Sequence, residues 1–239
     1  MQIKKKLKWT REWTRVLVRD AFNISRFGRD APLTAQQVFI DPSKIEYVYS
    51  GDLWHGELPE SLLQARPTHA PALGGRAASG RVLGGDWDKD IVPLNKCPKY
   101  LVCQKRFIRG MSWEDAGAYE LMRQILIKKP GADGCQSMAD VVKRYENVDR
   151  LYDSVKRDGR LRSRKELHPG NFRERGGVYV HFDRRGNILF SGGGFHRLSV
   201  AQIVGLRSIP AQVGVVHEQA IPLWKKTVIR ASCIAQKPR

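Results

Sequence analysis

Along residues 1–20, apolar positions alternate with lysines and arginines. Ile3, Leu7, Trp13 and Leu17 fall roughly on one face, and the spacing predicts an amphipathic helix. Such a helix either lies on a phosphate backbone or membrane surface, or packs on the domain with its long basic stems covering apolar area. The period then changes. Within Gln37–Tyr49, the runs VFI and IEYVY flank Asp41, Pro42 and Ser43, the pattern of two strands around a turn. Arg66–Gly85 is rich in Pro, Gly and Ala and has no periodicity, so a long loop or linker is expected there.

The middle of the chain has helical spacing. Cys97–Arg109 carries Tyr100, Leu101, Phe107 and Ile108 and meets a stop at Gly110. Ser112 with Asp115 has the form of a capping box, predicting a helix from there to about Lys129, before Pro130 and Gly131. Ser137 with Asp140 repeats the signal. Val141, Val142, Tyr145, Val148, Leu151, Tyr152 and Val155 then form a stripe that ends at Gly159. Beyond it the pattern is β-like: VYVHF in Gly177–Asp183, a turn at residues 184–187, and Ile188–Phe190 returning as a second strand. A glycine run leads into a helix over His196–Val204 with Gly205 as its stop, followed by a strand over Ile209–Val216. No internal repeat is visible.

Composition narrows the class. Hydrophobic residues make up 41%, enough for a core, and no apolar run reaches the about 20 residues that cross a bilayer. The start MQIKKKLKW is not followed by the apolar block of a secretory signal, so a soluble cytoplasmic protein is expected. Cys97, Cys103, Cys135 and Cys233 form no CxxC pair and show no zinc spacing, so free thiols are expected, a Cys97–Cys103 redox pair being the alternative. The net charge of +18, from 42 basic and 24 acidic residues, favours polyanionic partners: nucleic acid, nucleotides, phosphosugars or an anionic membrane face. Lysines 4, 5, 6 and 8 cluster at one end, and Lys225, Lys226, Arg230, Lys237 and Arg239 at the other.

The chemistry concentrates in one stretch, Phe190–Gly205, FSGGGFHRLSVAQIVG. Gly192, Gly193 and Gly194 lie between a predicted strand and a predicted helix. There they allow positive φ, close backbone approach and converging N–H groups. The helix N-terminus adds partial positive charge. Arg197 can give a phosphate two donors, and His196 can donate to an oxygen or move a proton. Three glycines before a helix also fit an ordinary turn with an exposed His-Arg pair.

This order of elements resembles the ParB/sulfiredoxin superfamily. Gly194, Phe195, His196 and Arg197 match its turn, Leu198–Gly205 its short helix, and Ile209, Pro210 and Ala211 its following strand. Leu151–Gly159, LYDSVKRDG, is similar to the family helix that ends beside the phosphate site, and the match covers about residues 149–217. The resemblance implies an α+β fold: a small mixed sheet with packed helices, an inserted helical segment and a basic N-terminal extension. The expected organisation is an extension over 1–65, a linker over 66–85, the ParB/sulfiredoxin-like domain over 86–217 and a basic tail over 218–239. It further implies nucleotide phosphate binding, with ATP, ADP or CTP and Mg²⁺ as cofactors.

Sulfiredoxins place a reactive cysteine where this chain has Phe195, which argues against sulfinic-acid repair. Partition proteins carry a DNA-reading module after the last strand, for which residues 216–239 are too short.

Ser154 and Arg164 are expected phosphate contacts, with Arg162 beside them. Asp149 and Asp153, which flank Arg150, are expected near the site as base or metal ligand. The bland alternatives are a water-facing serine, solvated arginines and surface ion pairs. Asp86 and Asp88 form a second carboxylate pair, and His181 and His217 are expected to be structural. Three functions compete: a phosphotransferase or nucleotide hydrolase, a nucleic-acid-binding protein or ParB-like nuclease, and a non-catalytic adaptor that docks on an acidic protein or an anionic membrane through its N-terminal helix.

Overall fold

The computed structural model describes the backbone of residues 2–53 and 72–229, with side chains described for 14–53 and 72–228. The N-terminal helix α1 spans Gln2–Phe27. The side chains of Ile3, Leu7 and Trp13 on its expected face lie outside the described residues, as do Arg230, Cys233, Lys237 and Arg239. Among the described residues the other α-helices are α2 (Pro98–Arg109), α3 (Ala118–Lys128), α4 (Met138–Asp158), α5 (Arg164–Leu167) and α6 (Phe195–Val204).

The strands are β1 (Gln37–Ile40), β2 (Tyr47–Tyr49), β3 (Val82–Leu83), β4 (Ile91–Pro93), β5 (Val178–Phe182), β6 (Ile188–Phe190), β7 (Ile209–His217) and β8 (Val228–Ile229). Among the described residues they make one mixed sheet in the order β4-β2-β6-β5-β7-β1-β8, with β3 added to β7. The β5–β6 hairpin is antiparallel, whereas β5 runs parallel to β7 and β2 parallel to β6. One edge of β7 is shared: β1 pairs antiparallel with its first half, and β3 parallel with Val216 and His217. The molecule is thus mixed α+β.

Alternation along the strands separates two packed faces. Val180, Phe182, Phe190, Val213 and Ile40 face a helical layer made by α2, α3, α4 and α6, where Val102, Met122, Tyr145, Val148 and Leu198 are buried. α6 is buried from Phe195 to Ala201, including its polar residues, so it runs through the interior rather than over it. On the opposite face Tyr49, Leu189 and Val215 pack with Leu73, Ala78 and Trp87. The strand histidines belong to that second face as structural groups. His181 Nδ1 accepts from Val215 N at 2.9 Å, which leaves Nε2–H to donate to Asp52 Oδ2 at 2.9 Å. His217 Nδ1 accepts from Gln219 N at 3.2 Å, and its Nε2 donates to the Gly85 carbonyl at 2.9 Å.

Local signals set most helix ends. α4 begins with the predicted box: Ser137 Oγ accepts from Asp140 N at 3.2 Å, and the Asp140 carboxylate accepts from Ser137 N at 2.9 Å. Gly159, at φ +62°, closes it. The Ser112–Asp115 pair forms too, with Asp115 N donating to Ser112 Oγ at 3.0 Å, but it ties a turn. The helix starts later, at Ala118, because left-handed Gly117 breaks helical continuity.

The described part of the expected linker, residues 72–85, is built into the domain. Gly80 N donates to Gly214 O at 2.8 Å, Ala35 N donates to Ser79 Oγ at 2.9 Å, and Ser79 Oγ donates to Val213 O. The small residues that erase periodicity here let this backbone lie against β7. β1 and β2, from the expected extension, and β3, from the expected linker, all join the same sheet as β5, β6 and β7. No described helix is long and apolar enough to cross a membrane.

Candidate anion-binding site

The glycine turn stays zipped to β5 as it leaves β6. Ser191 N donates to Tyr179 O at 3.1 Å, and Tyr179 N donates to Gly193 O at 3.1 Å. Gly194 then reverses the chain at φ +90°, and a Cβ there would sit 2.5 Å from the Gly177 carbonyl oxygen. Only glycine meets both demands. α6 begins at the next residue, so its first-turn N–H groups, which have no partner within a helix, fall beside the turn.

Turn and helix start line a cavity of about 860 Å³. Cations reach it from all sides: Arg76, Lys99 from α2, Lys143 and Arg144 from α4, Arg164 from α5 and Arg197 from α6. Its two acidic side chains are both engaged. Asp140 belongs to the cap of α4. Asp133 accepts from Lys99 Nζ at 2.8 Å and lies 3.3 Å from Arg144 Nη2. Burial would raise the Asp133 carboxyl, but those two cations outweigh it and hold the pKa at about 2.

His196 is 7% exposed, with Tyr145 edge-on at a ring-centroid distance of 5.3 Å. Burial, then Arg144 and Lys99, push its pKa well below the usual imidazole value, so the ring is neutral. Nδ1 faces Arg144 Nη2 at 3.5 Å, which assigns it the acceptor role and leaves the proton on Nε2. That Nε2 is buried without a protein partner, as are Nε of Arg144, Arg164 and Arg197. Arg197 is anchored by donating to the Arg162 carbonyl, and burial lowers its pKa to about 10, leaving it charged at neutral pH.

Arg76 forms the floor. It donates to Gln212 Oε1, to Arg173 O at 3.2 Å and to the same Gly177 carbonyl that excludes a side chain at Gly194. Its guanidinium stacks over Tyr179 at 5.0 Å. Burial lowers its pKa to about 10, so it too stays cationic. Glu174 accepts from Arg164 N and Lys165 N, both at 2.8 Å, tethering the start of α5 to the loop before β5.

Six of the expected residues therefore meet in one cavity: Gly192, Gly193, Gly194, His196, Arg197 and Arg164. Asp149, Asp153 and Ser154 are not brought to it. At 3.6 residues per turn, Asp149 lies about 140° and Asp153 about 180° around α4 from Arg144. Asp149 accepts from Arg106 Nε at 3.0 Å and Trp113 Nε1 at 3.0 Å. Asp153 is exposed, and Ser154 Oγ donates to Asp158 at 3.2 Å. Arg162 Nη2 also points to Asp158, at 3.4 Å.

Asp86 and Asp88 serve the fold. Arg184 donates to Asp86 at 2.7 Å and to Asp88 at 2.6 Å, clamping the β5–β6 turn. Cys97, Cys103 and Cys135 are buried thiols in no disulfide, and burial pushes Cys103 up to about 12. Among the described residues no group of three or more His, Cys, Asp or Glu side chains could hold a metal. With both cavity carboxylates engaged, the donor set does not fit a protein-held Mg²⁺.

Arg76, Lys99, Lys143 and Arg144 had no distinguishing mark in a sequence with 42 basic residues. They are brought to the turn by packing. A second cavity, of about 590 Å³ at the far end of α6, is lined by Asp41, Glu46 and Arg207 among others and gathers no comparable cations.

No family model, curated protein or solved structure matches the chain.

Proposed function

We propose that the protein is a phosphate-binding domain of the ParB/sulfiredoxin-like type whose ligand is a nucleotide. The observation that carries this is the gathering of Arg76, Lys99, Lys143, Arg144, Arg164 and Arg197 around one cavity beside the glycine turn, where His196 Nε2 and Nε of Arg144, Arg164 and Arg197 are also buried without a protein acceptor. Buried donors of this kind are costly unless an acceptor meets them. A phosphate supplies several acceptor oxygens and the charge the cations call for. The helix start adds its own N–H groups. A volume of about 860 Å³ suits a nucleotide, and Val148, Leu151 and Leu167 offer apolar lining for its base.

Binding is the part of the expected activity that the site supports most directly. Phosphoryl transfer or nucleotide hydrolysis would rely on Arg144 and Arg197 to stabilise charge and on His196 as the titratable group, since Asp149 and Asp153 face elsewhere. Mg²⁺ would then arrive on the phosphates rather than be held by carboxylates of the chain. The net charge of +18 favours a second reading, in which the cavity takes the phosphates of a nucleic-acid strand.

Thermal melts with ATP, ADP, CTP, pyrophosphate and duplex DNA, each with and without Mg²⁺, separate the two. A nucleotide at about one hundred times its Kd adds ~2.7 kcal/mol, a rise of roughly 5–10 °C for a chain of this size. Stabilisation by a nucleotide supports the first reading. Stabilisation by DNA alone supports the second, and no shift with any of them overturns both.

A further inference from the structure

α1 is anchored by its polar side. Arg19 Nη1 donates to the carbonyls of Ala77 at 3.0 Å and Ser79 at 2.9 Å. Asn23 Nδ2 donates to Pro32 O at 2.8 Å and Gly80 O at 2.6 Å, and Asp20 accepts from Thr34 N at 2.9 Å. The apolar side faces outward: Leu17 and Val18 are each 65% exposed, Phe22 59% and Ile24 53%. At 100° per residue these four fall in one arc that also holds Ala21 and the small polar Thr14 and Ser25, and Arg15 and Arg26 border it on the Phe22 side. A surface helix normally turns this stripe inward. A contiguous outward one marks an interaction surface.

Charge decides the occupant. Gln2–Phe27 contains eight basic and two acidic residues. A second copy of the chain would bring the same positive helix against this one, and the two would repel. A surface that offers both an apolar layer and negative charge satisfies both halves of the pattern. Nucleic acid offers the charge without the apolar layer. We infer that α1 docks in the plane of an anionic lipid bilayer, Leu17, Val18, Phe22 and Ile24 entering the acyl boundary while the flanking arginines meet the headgroups. The polar anchors hold the folded domain on the opposite side of the helix, clear of the membrane. This surface is independent of the cavity beside Gly194.

The test is co-sedimentation of the full chain with vesicles of phosphatidylcholine, with and without phosphatidylserine. Binding to the phosphatidylserine vesicles, weakened by salt, is expected. Leu17→Gln with Phe22→Gln should lower the partition coefficient at least about tenfold, since each exposed side chain loses its gain on burial. Arg15→Gln with Arg26→Gln should lower it on anionic vesicles only. Melting of the variants without lipid serves as the control. All four positions are at the surface, so the melting temperature should hold. Four results would overturn the inference: no binding by the parent chain, equal binding by the Leu17/Phe22 variant, a concentration-dependent dimer that this variant abolishes, or a fall in its melting temperature, which would assign the face to another part of the same chain.

Discussion

His196 shows how one side chain is fixed by its surroundings. Its ring, edge-on to Tyr145, is closed off from water and lies near Arg144 and Lys99; burial first and then the two cations disfavour the imidazolium, and Asp133 offsets them only in part. The sign of the pH effect follows. The folded pKa lies below the unfolded value of about 6.5, so the unfolded chain takes up the proton first as pH falls. Stability is therefore fully present above that value and declines as pH drops through and below it, by about 2 kcal/mol at pH ~5. Chemical denaturation as a function of pH should show this slope, and His196→Gln should flatten it. An unchanged slope in the variant would mean that the imidazole titrates normally in the fold.

Among elements, the strand-turn-helix unit from β6 to α6 was legible because its signals are local: alternating apolar residues, three glycines, a helical run and a glycine stop. α4 was legible for the same reason, from Ser137 to Gly159. β3 was not. Two residues suffice for it because β7 supplies the pairing at Val216 and His217, and nothing near Val82 encodes that partner. Asp149 and Asp153 were expected at the site because their helix resembles the family helix that ends beside it, whereas the helical period turns them away from it. The turn itself gives a sharp expectation. Gly194→Ala adds a Cβ 2.5 Å from a backbone oxygen at φ +90°, whereas Gly205, at φ +75°, has open space around it. Gly205→Ala should cost about 1–2 kcal/mol, the left-handed penalty alone. Gly194→Ala should cost distinctly more and should lower the melting temperature by several degrees beyond the Gly205 variant. Equal melting temperatures would show that the turn has room to relax.

At the scale of the molecule, the site depends on chain segments far apart in sequence. Arg76 comes from the stretch that composition marked as a linker, Lys99 from α2, and Arg144 from α4, and they meet the glycine turn only because β7 and α6 bring the layers together. Charge composition pointed to an anion, and the resemblance to the ParB/sulfiredoxin superfamily pointed to the turn. The cluster of cations around it is a property of packing. Arg144 is the best probe of that cluster: its side chain is 31% exposed, and its Nε is one of the unpartnered nitrogens. The most direct measurement is calorimetric titration of ATP into the protein and into Arg144→Gln, at one salt concentration. Saturable binding by the parent chain is expected, with at least about tenfold weaker binding by the variant, the loss of one charge-assisted hydrogen bond. Equal affinities, or no saturable heat with the parent chain, would contradict it.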